Sequence, residues 1–528
     1  MAGWASLWRR SAGAAPWYFL LPAVLVVAAL LLALTYLGWR AFEGGWSGFW
    51  EVFWRPRTLT LFLNTLKLTG GVLVLTTLLA FPLAWLTTRT SLARSRVVIV
   101  LGVLPLAIPG YIMAWALLSL GGDYGIVTRL SGWDFPRFRG YAGALLAIGL
   151  YAFPYLYLNL RAALLGMDPA QEDAARSLGY TPWQVFFFVI VPQCRPAYLA
   201  GCLIIVLYVL GDFGTVTLMN YPTFSQAIFV QYTSLMDART ASSLALLLIL
   251  LTAILLWFEV RLVGRAELFK IGSGTKRPAI LYPVGWKWLI VGPFLVLLGV
   301  VTLVAPIGVM IFWLVEYWPE GEMIRVWGGL RDSFSVAVPA ALLAGAGALP
   351  IAYLGVRFPS RVSRILERMA YFGYALPPLA LALAAAFLGL TLLPWLDQTL
   401  LLLVLVCALY FLAECIGPVR SSLLQASPRI EEAARSLGCN AFAAFWLATF
   451  PLLGKGLLAG VAFVFLSVMK ELPITFILSP WGFSPLAVNI WDRSNEALYA
   501  EAAPHALALL IFSFLFVGLL MVRERRLH

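Results

Sequence analysis

Charge is scarce in this sequence: Asp, Glu, Lys and Arg together make up 12% of its 528 residues. An ordinary soluble domain carries about twice that share, so a water-exposed globular protein is excluded. Histidine occurs only at His505 and His528, which leaves no raw material for a histidine-based zinc or acid–base centre. Neither a Ser/His/Asp set nor H-E-x-x-H is present, and the five cysteines, Cys194, Cys202, Cys407, Cys415 and Cys439, form no CxxC and no Cys/His cluster. They read as structural residues, and no metal site is assigned. A G-x-x-x-x-G-K-[ST] phosphate loop is missing, as is any soluble α/β stretch long enough to hold one. No covalently held cofactor is expected.

What fills the sequence instead is apolar: 62% of residues are hydrophobic and the mean hydropathy is +0.89. The apolar residues gather in windows of about 20, the length at which a helix crosses a hydrocarbon core of roughly 30 Å. Barrel strands would alternate, whereas runs such as Pro22 to Leu37 are apolar on every face. The chain therefore reads as an all-α polytopic membrane protein of about twelve spans, beginning near residues 17, 60, 97, 141, 197, 241, 287, 334, 367, 398, 457 and 503. Arg9 and Arg10 precede the first span, but the long apolar run without a small-residue cleavage site reads as an anchor rather than a signal peptide. The net charge of +12 comes from Lys and Arg at span ends, which favours membrane orientation over nucleic-acid binding. With the N-terminus inside, about 25 Lys/Arg fall on the inner side against about 10 outside, so both termini are expected in the cytoplasm.

The two halves repeat one another. Glu172-Asp173-Ala174-Ala175-Arg176-Ser177-Leu178-Gly179 recurs as Glu431-Glu432-Ala433-Ala434-Arg435-Ser436-Leu437-Gly438, about 259 residues on. Arg161, Pro169, Phe186 and Pro192 match Arg420, Pro428, Phe445 and Pro451 at the same spacing, and Pro82, Arg89 and Pro109 match Pro350, Arg357 and Pro377 at about 268. Duplication and fusion follow, with residues 1–263 as the first repeat, 264–286 as a cytoplasmic linker and 287–528 as the second. An even number of spans per half gives both repeats the same orientation, hence a pseudo-twofold axis along the membrane normal.

Each repeated motif sits in an inner loop, at 168–192 and 427–451. Asp168 is placed to N-cap a helix that Pro169 opens, with Gln171 completing an arrangement like a capping box and Gly179 ending it. Thr181, Pro182 and Gln184 start a second helix that runs toward Pro192. Ser427-Pro428, Gly438, Asn440 and Pro451 do the same in the second copy. Early acids and paired alanines give a low-profile helix suited to a groove on another protein, and two copies suit a two-fold partner.

Both loops resemble the EAA loop of the membrane-spanning subunits of ABC importers, although the first copy has Asp-Ala-Ala where that pattern has Glu-Ala-Ala. The resemblance implies a type I importer permease fold in the bacterial inner membrane, working by alternating access. It also implies that Glu172, Asp173, Ala174, Ala175 and Gly179, with Glu431, Glu432, Ala433, Ala434 and Gly438, dock on two copies of an ABC ATP-binding subunit, where the ATP is used. Lipid and a periplasmic substrate-binding protein are the other expected partners.

Charges inside spans point to a pathway. Asp212 has Glu471 as its repeat mate, and the pseudo-twofold would set the two carboxylates facing one another, as hard ligands for a hard cation. The alternative is that Glu471 merely neutralises Lys470 or another cation near a helix end. The segments Lys470-Glu471-Leu472-Pro473 and Gly211-Asp212-Phe213-Gly214, with the fused architecture, resemble permeases of ferric-iron importers. Fused permeases for thiamine and for phosphonates are built similarly. An ion-coupled secondary transporter also has about twelve helices in repeated halves, but it calls for no docking loops. An intramembrane enzyme would need converging catalytic groups that the sequence does not supply.

Overall fold

The computed structural model describes residues 16–123, 125–263, 281–317 and 321–525. Among them every named element is helical, and a lone β-bridge joins Thr90 to Tyr282. Ten helices are long and apolar enough to cross a membrane, or up to twelve when each of two sharply bent pairs counts as one span. The expected linker falls outside the described residues except for 281–286, as do the two ends of the chain.

The bent pairs show what proline does to a span. Arg96–Ala107 and Gly110–Leu120 meet at 98°, and Arg361–Ala375 and Pro378–Leu392 at 103°. The repeat-related Pro109 and Pro377 stand at the two bends. Each ring excludes α geometry from the residue before it, so Ile108 and Leu376 are extended (ψ 114° and 145°). The spans expected near 97 and 367 are thus each broken in the middle.

A second pair of breaks falls at the intramembrane acids. Val191–Gly211 stops at Asp212 and Phe450–Lys470 stops at Glu471, and the short helices Gly214–Leu218 and Pro473–Leu478 follow. At the other end of these spans the inner-loop elbow departs from expectation. The second helix of each loop does not stop at its proline but continues into the membrane through a π turn, Phe186–Ile190 or Phe445–Thr449. The wider turn lies just before Pro192 or Pro451 and relieves the clash and missing donor that would otherwise break the helix.

The compact units do not coincide with the sequence halves. One comprises residues 1–44 with 327–488, the other 45–326 with 489–528. In the first, the N-terminal span Trp17–Ala41 packs on Arg361–Ala375 and Pro378–Leu392, with the Phe19 ring against Tyr353 and Phe445 at 4.4 and 4.8 Å. In the second, Ala305–Glu316 packs on Gly110–Leu120 and on Tyr499–Arg525. The leading span of the first repeat is therefore seated on helices of the second, and that of the second repeat packs on a helix of the first as well as on the last span of its own repeat.

Within each unit the fourth and fifth spans of a repeat approach closely over glycine. A Cβ on Gly201 would come 2.7 Å from Leu156 Cδ1, and one on its mate Gly460 would come 2.5 Å from Cys415 Sγ and 2.9 Å from the Cys415 Cα. The backbone contact cannot give way. Gly460→Ala is expected to cost about 1–3 kcal/mol through overpacking, read as a lower melting temperature of the purified protein. Gly454→Ala on the same helix meets nothing within 4 Å, so only the better helix propensity of alanine acts and melting is expected not to fall.

Candidate docking loops and intramembrane acids

The first inner loop is built by its caps. Asp168 accepts from the Ala170 amide (3.0 Å), Pro169 opens the helix Pro169–Ser177, and Gly179 leaves it at φ +88°. That left-handed turn lets the Tyr180 amide donate back to Ala175 O (3.1 Å) and closes the helix end. Gln171 completes no reciprocal box; Thr181 does, exchanging hydrogen bonds with Gln184. The second copy repeats the design, with Ser427 capping Pro428–Ser436, Gly438 at φ +92° and Asn440 accepting from the Ala443 amide (2.8 Å).

The motif residues divide between two faces. Asp173, Ala174 and Ser177 are exposed and Leu178 is 81% exposed; Glu432, Ala433 and Ser436 are exposed and Leu437 is 86% exposed. Residues i, i+1, i+4 and i+5 share one side of a helix, so each loop presents an acid, a low alanine step and a bare leucine. Ala175 is buried and Ala434 half-buried, supporting the helix from behind.

Glu172 and Glu431 do not belong to that outward face, because both are buried against their own spans. Glu172 lies 2.8 Å from the guanidinium of Arg89, the last residue of the span Pro56–Arg89, and this pair is almost fully buried. Arg176 holds its other oxygen at 3.3 Å and also reaches Asp173 and the Tyr282 hydroxyl. Glu431 pairs with Arg435 (3.1 Å) as Glu172 does with Arg176, but in place of a buried arginine it accepts from the hydroxyls of Tyr353 (2.7 Å) and Thr449 (3.2 Å), while Arg357, the mate of Arg89, donates to Ala426 O. Both glutamates turn inward: an isolated buried carboxylate is costly, and each lies against donors that offset its burial.

Asp212 and Glu471 are the caps of the broken spans. Asp212 accepts from the Thr215 amide (2.8 Å), the Thr215 hydroxyl (2.6 Å) and the Tyr151 hydroxyl (3.0 Å). Glu471 accepts from the amides of Ile474 (2.7 Å) and Thr475 (2.8 Å) and from the Thr475 hydroxyl (2.7 Å). Both carboxylates therefore satisfy the first turn of the short helix that follows, where the helix dipole also favours them. A Cβ on Gly110 would lie 2.8 Å from Asp212 Oδ2 and 2.7 Å from Thr215 Oγ1, so the bend at Pro109 is packed onto this cap.

Lys470 is the last residue of the span Phe450–Lys470, and a further intramembrane acid, Glu414, is not among the residues the repeat pattern marks. Glu414 lies in the interior of the span Leu400–Gln425 and accepts from the hydroxyls of Tyr374 (2.9 Å) and Ser467 (2.7 Å). It is the one acid inside that apolar run, and this was the signal available. Among the described residues no group of three or more His, Cys, Asp or Glu is arranged to hold a metal ion.

Similarity to known proteins follows the same two-half pattern. The family described as the binding-protein-dependent transport system inner membrane component matches residues 75–266 and again 337–528. The chain is 30% identical over 513 residues, 96% of its own length and 98% of the relative's, to the Fe(3+)-transport system permease protein FbpB 2 of Haemophilus influenzae. It is 23% identical over 476 residues to the ferric transport system permease protein FbpB of Actinobacillus pleuropneumoniae, covering 85% of this chain and 69% of that one. The sulfate transport system permease protein CysT of Escherichia coli matches over 194 residues at 28% identity, 36% of this chain and 69% of that protein. With ten to twelve candidate spans and two copies of the domain, this chain belongs to the family of inner-membrane permease components of binding-protein-dependent transport systems.

Proposed function

We propose that this chain is the complete membrane pathway of an ATP-driven ferric-iron importer. A periplasmic binding protein delivers the ion to the outer side, and two copies of an ATP-binding subunit, which carry out the hydrolysis, seat on the two inner loops. Asp173, Ala174 and Leu178 form one seat and Glu432, Ala433 and Leu437 the other. Both chain ends and both loops lie on the cytoplasmic side of the lipid bilayer, where the Lys/Arg excess places them. Closure of the ATP-binding pair moves the loops, and through them the spans, between outward-open and inward-open states.

The observation that carries the iron assignment is the length of the likeness. A ferric permease is matched from end to end, including the fusion of two halves, whereas the sulfate permease is matched over about a third of this chain. The test is uptake by proteoliposomes holding this chain, its ATP-binding subunit and its binding protein. ATP-dependent accumulation of radioactive ferric iron, with sulfate and thiamine excluded, is expected. Accumulation of thiamine or sulfate without iron would overturn the cargo.

A further inference from the structure

The end of the inter-repeat linker is built into the first inner loop. Residues 281–286 lead into the span that opens the second repeat, and on the way Tyr282 pairs with Thr90, just past the span Pro56–Arg89. The Tyr282 amide donates to Arg89 O (2.9 Å), and its carbonyl accepts from the Ser91 amide (3.0 Å). Val284, 4% exposed, pins this strap to the body of the protein. The Tyr282 hydroxyl accepts from the Arg176 guanidinium at 2.7 Å, and the same guanidinium reaches Glu172 and the exposed Asp173.

The second loop is also met by the leading segment of the other repeat, with rings in place of charges. Tyr18 meets Phe442 edge-on at 5.4 Å, and Phe19 packs on Tyr353, the residue that donates to Glu431. Arg435, the mate of Arg176, is 45% exposed against 28%. The first loop thus carries a guanidinium ordered by the linker at the flank of its outward face, where the second has one standing half in solvent.

A protein interface takes about 20–30 residues from each side, and the helix Pro169–Ser177 has nine, some of them turned inward. Neighbouring surface has to join it. Tyr282 is 36% exposed and is joined to Asp173 through one guanidinium, so it adjoins the outward face. An arginine left loose must be ordered when a partner arrives, whereas one already held by three groups adds less to the cost of binding. We infer that the first seat is composite: the linker's end belongs to it, and Tyr282 is the positioning residue that sets Arg176, and with it Asp173, for the ATP-binding subunit. The inference rests on the docking reading of the two loops.

The experiment titrates the ATP-binding subunit onto the full-length permease with one seat disabled at a time and reads the bound subunit by native mass. With the second seat disabled by Leu437→Asp and Glu432→Lys, Tyr282→Phe, which removes only the accepting hydroxyl, is expected to weaken binding about fivefold. With the first seat disabled by Leu178→Asp and Asp173→Lys, the same change is expected to leave binding at the second seat as it was. On the background that keeps the first seat, Arg176→Gln should also weaken binding, and Tyr282→Phe should add nothing to it, because the hydroxyl acts through that guanidinium. Unchanged binding at the first seat, equal weakening at both seats, or additive effects of Tyr282→Phe and Arg176→Gln would overturn the composite seat. Should two subunits stay bound whichever seat is disabled, the docking reading itself fails and this inference falls with it.

Discussion

Replacing Glu172 by glutamine is expected to destabilise the permease by about 3–5 kcal/mol, the usual cost of leaving one member of a buried ion pair without its partner. The stranded group would be Arg89, whose side chain is 2% exposed, with Glu172 at 2.8 Å. Adding Arg89→Met should recover most of the stability, because two neutral side chains in that place no longer leave a buried charge. The recovered protein should still transport poorly if the proposed docking holds: the end of the Pro56–Arg89 span would have lost its tie to the helix Pro169–Ser177. Glu431→Gln is expected to be much milder, about 1 kcal/mol, since a glutamine carbonyl can still accept from Tyr353 and the Arg435 partner is half in solvent. Thermal melting of the three variants beside native protein reads this order directly. Equal effects at Glu172 and Glu431 would show that the two loops are anchored by the same chemistry, against the geometry described above.

The asymmetry between those sister residues illustrates how far the sequence alone could be read. Apolar windows of about 20 residues and Lys/Arg at their ends are long-range signals that survive any detail of packing, so the spans and the duplication were legible. Local caps were legible too where a single residue type does the work, as Asp168, Gly179, Thr181 and Asn440 show. Gln171 satisfied the same pattern and made no box, because the pattern does not specify which of two nearby starts has the geometry to close it.

What could not be read were the partners brought by distant segments. The acidic pair at 172 and 173 looks alike in sequence, yet only Arg89, a span away, decides that Glu172 turns in while Asp173 stays out. Asp212 and Glu471 stood out as charges within spans, but their role as caps became visible only once the helices were seen to stop there. The seating of Trp17–Ala41 on helices of the second repeat was equally hidden, since an apolar span carries no record of which neighbour covers it.

The second large effect concerns the outward faces of the two loops. Covering a bare leucine by a partner contributes about 1.5–3 kcal/mol, so Leu178 and Leu437, each almost fully exposed, are expected to dominate the two seats. Leu178→Asp with Asp173→Lys puts a charge where an apolar contact is needed and reverses the neighbouring one; the matching change in the second loop is Leu437→Asp with Glu432→Lys. None of these side chains is buried in the permease, so all variants should insert and melt as native protein does.

The most direct measurement is therefore the native mass of the purified complex between this chain and its ATP-binding subunit. Two ATP-binding subunits per chain are expected for the native protein, one when either loop is altered and none when both are. Two subunits retained with both loops altered would contradict the account, because the repeated loops would then not be the place where ATP-driven motion enters the membrane.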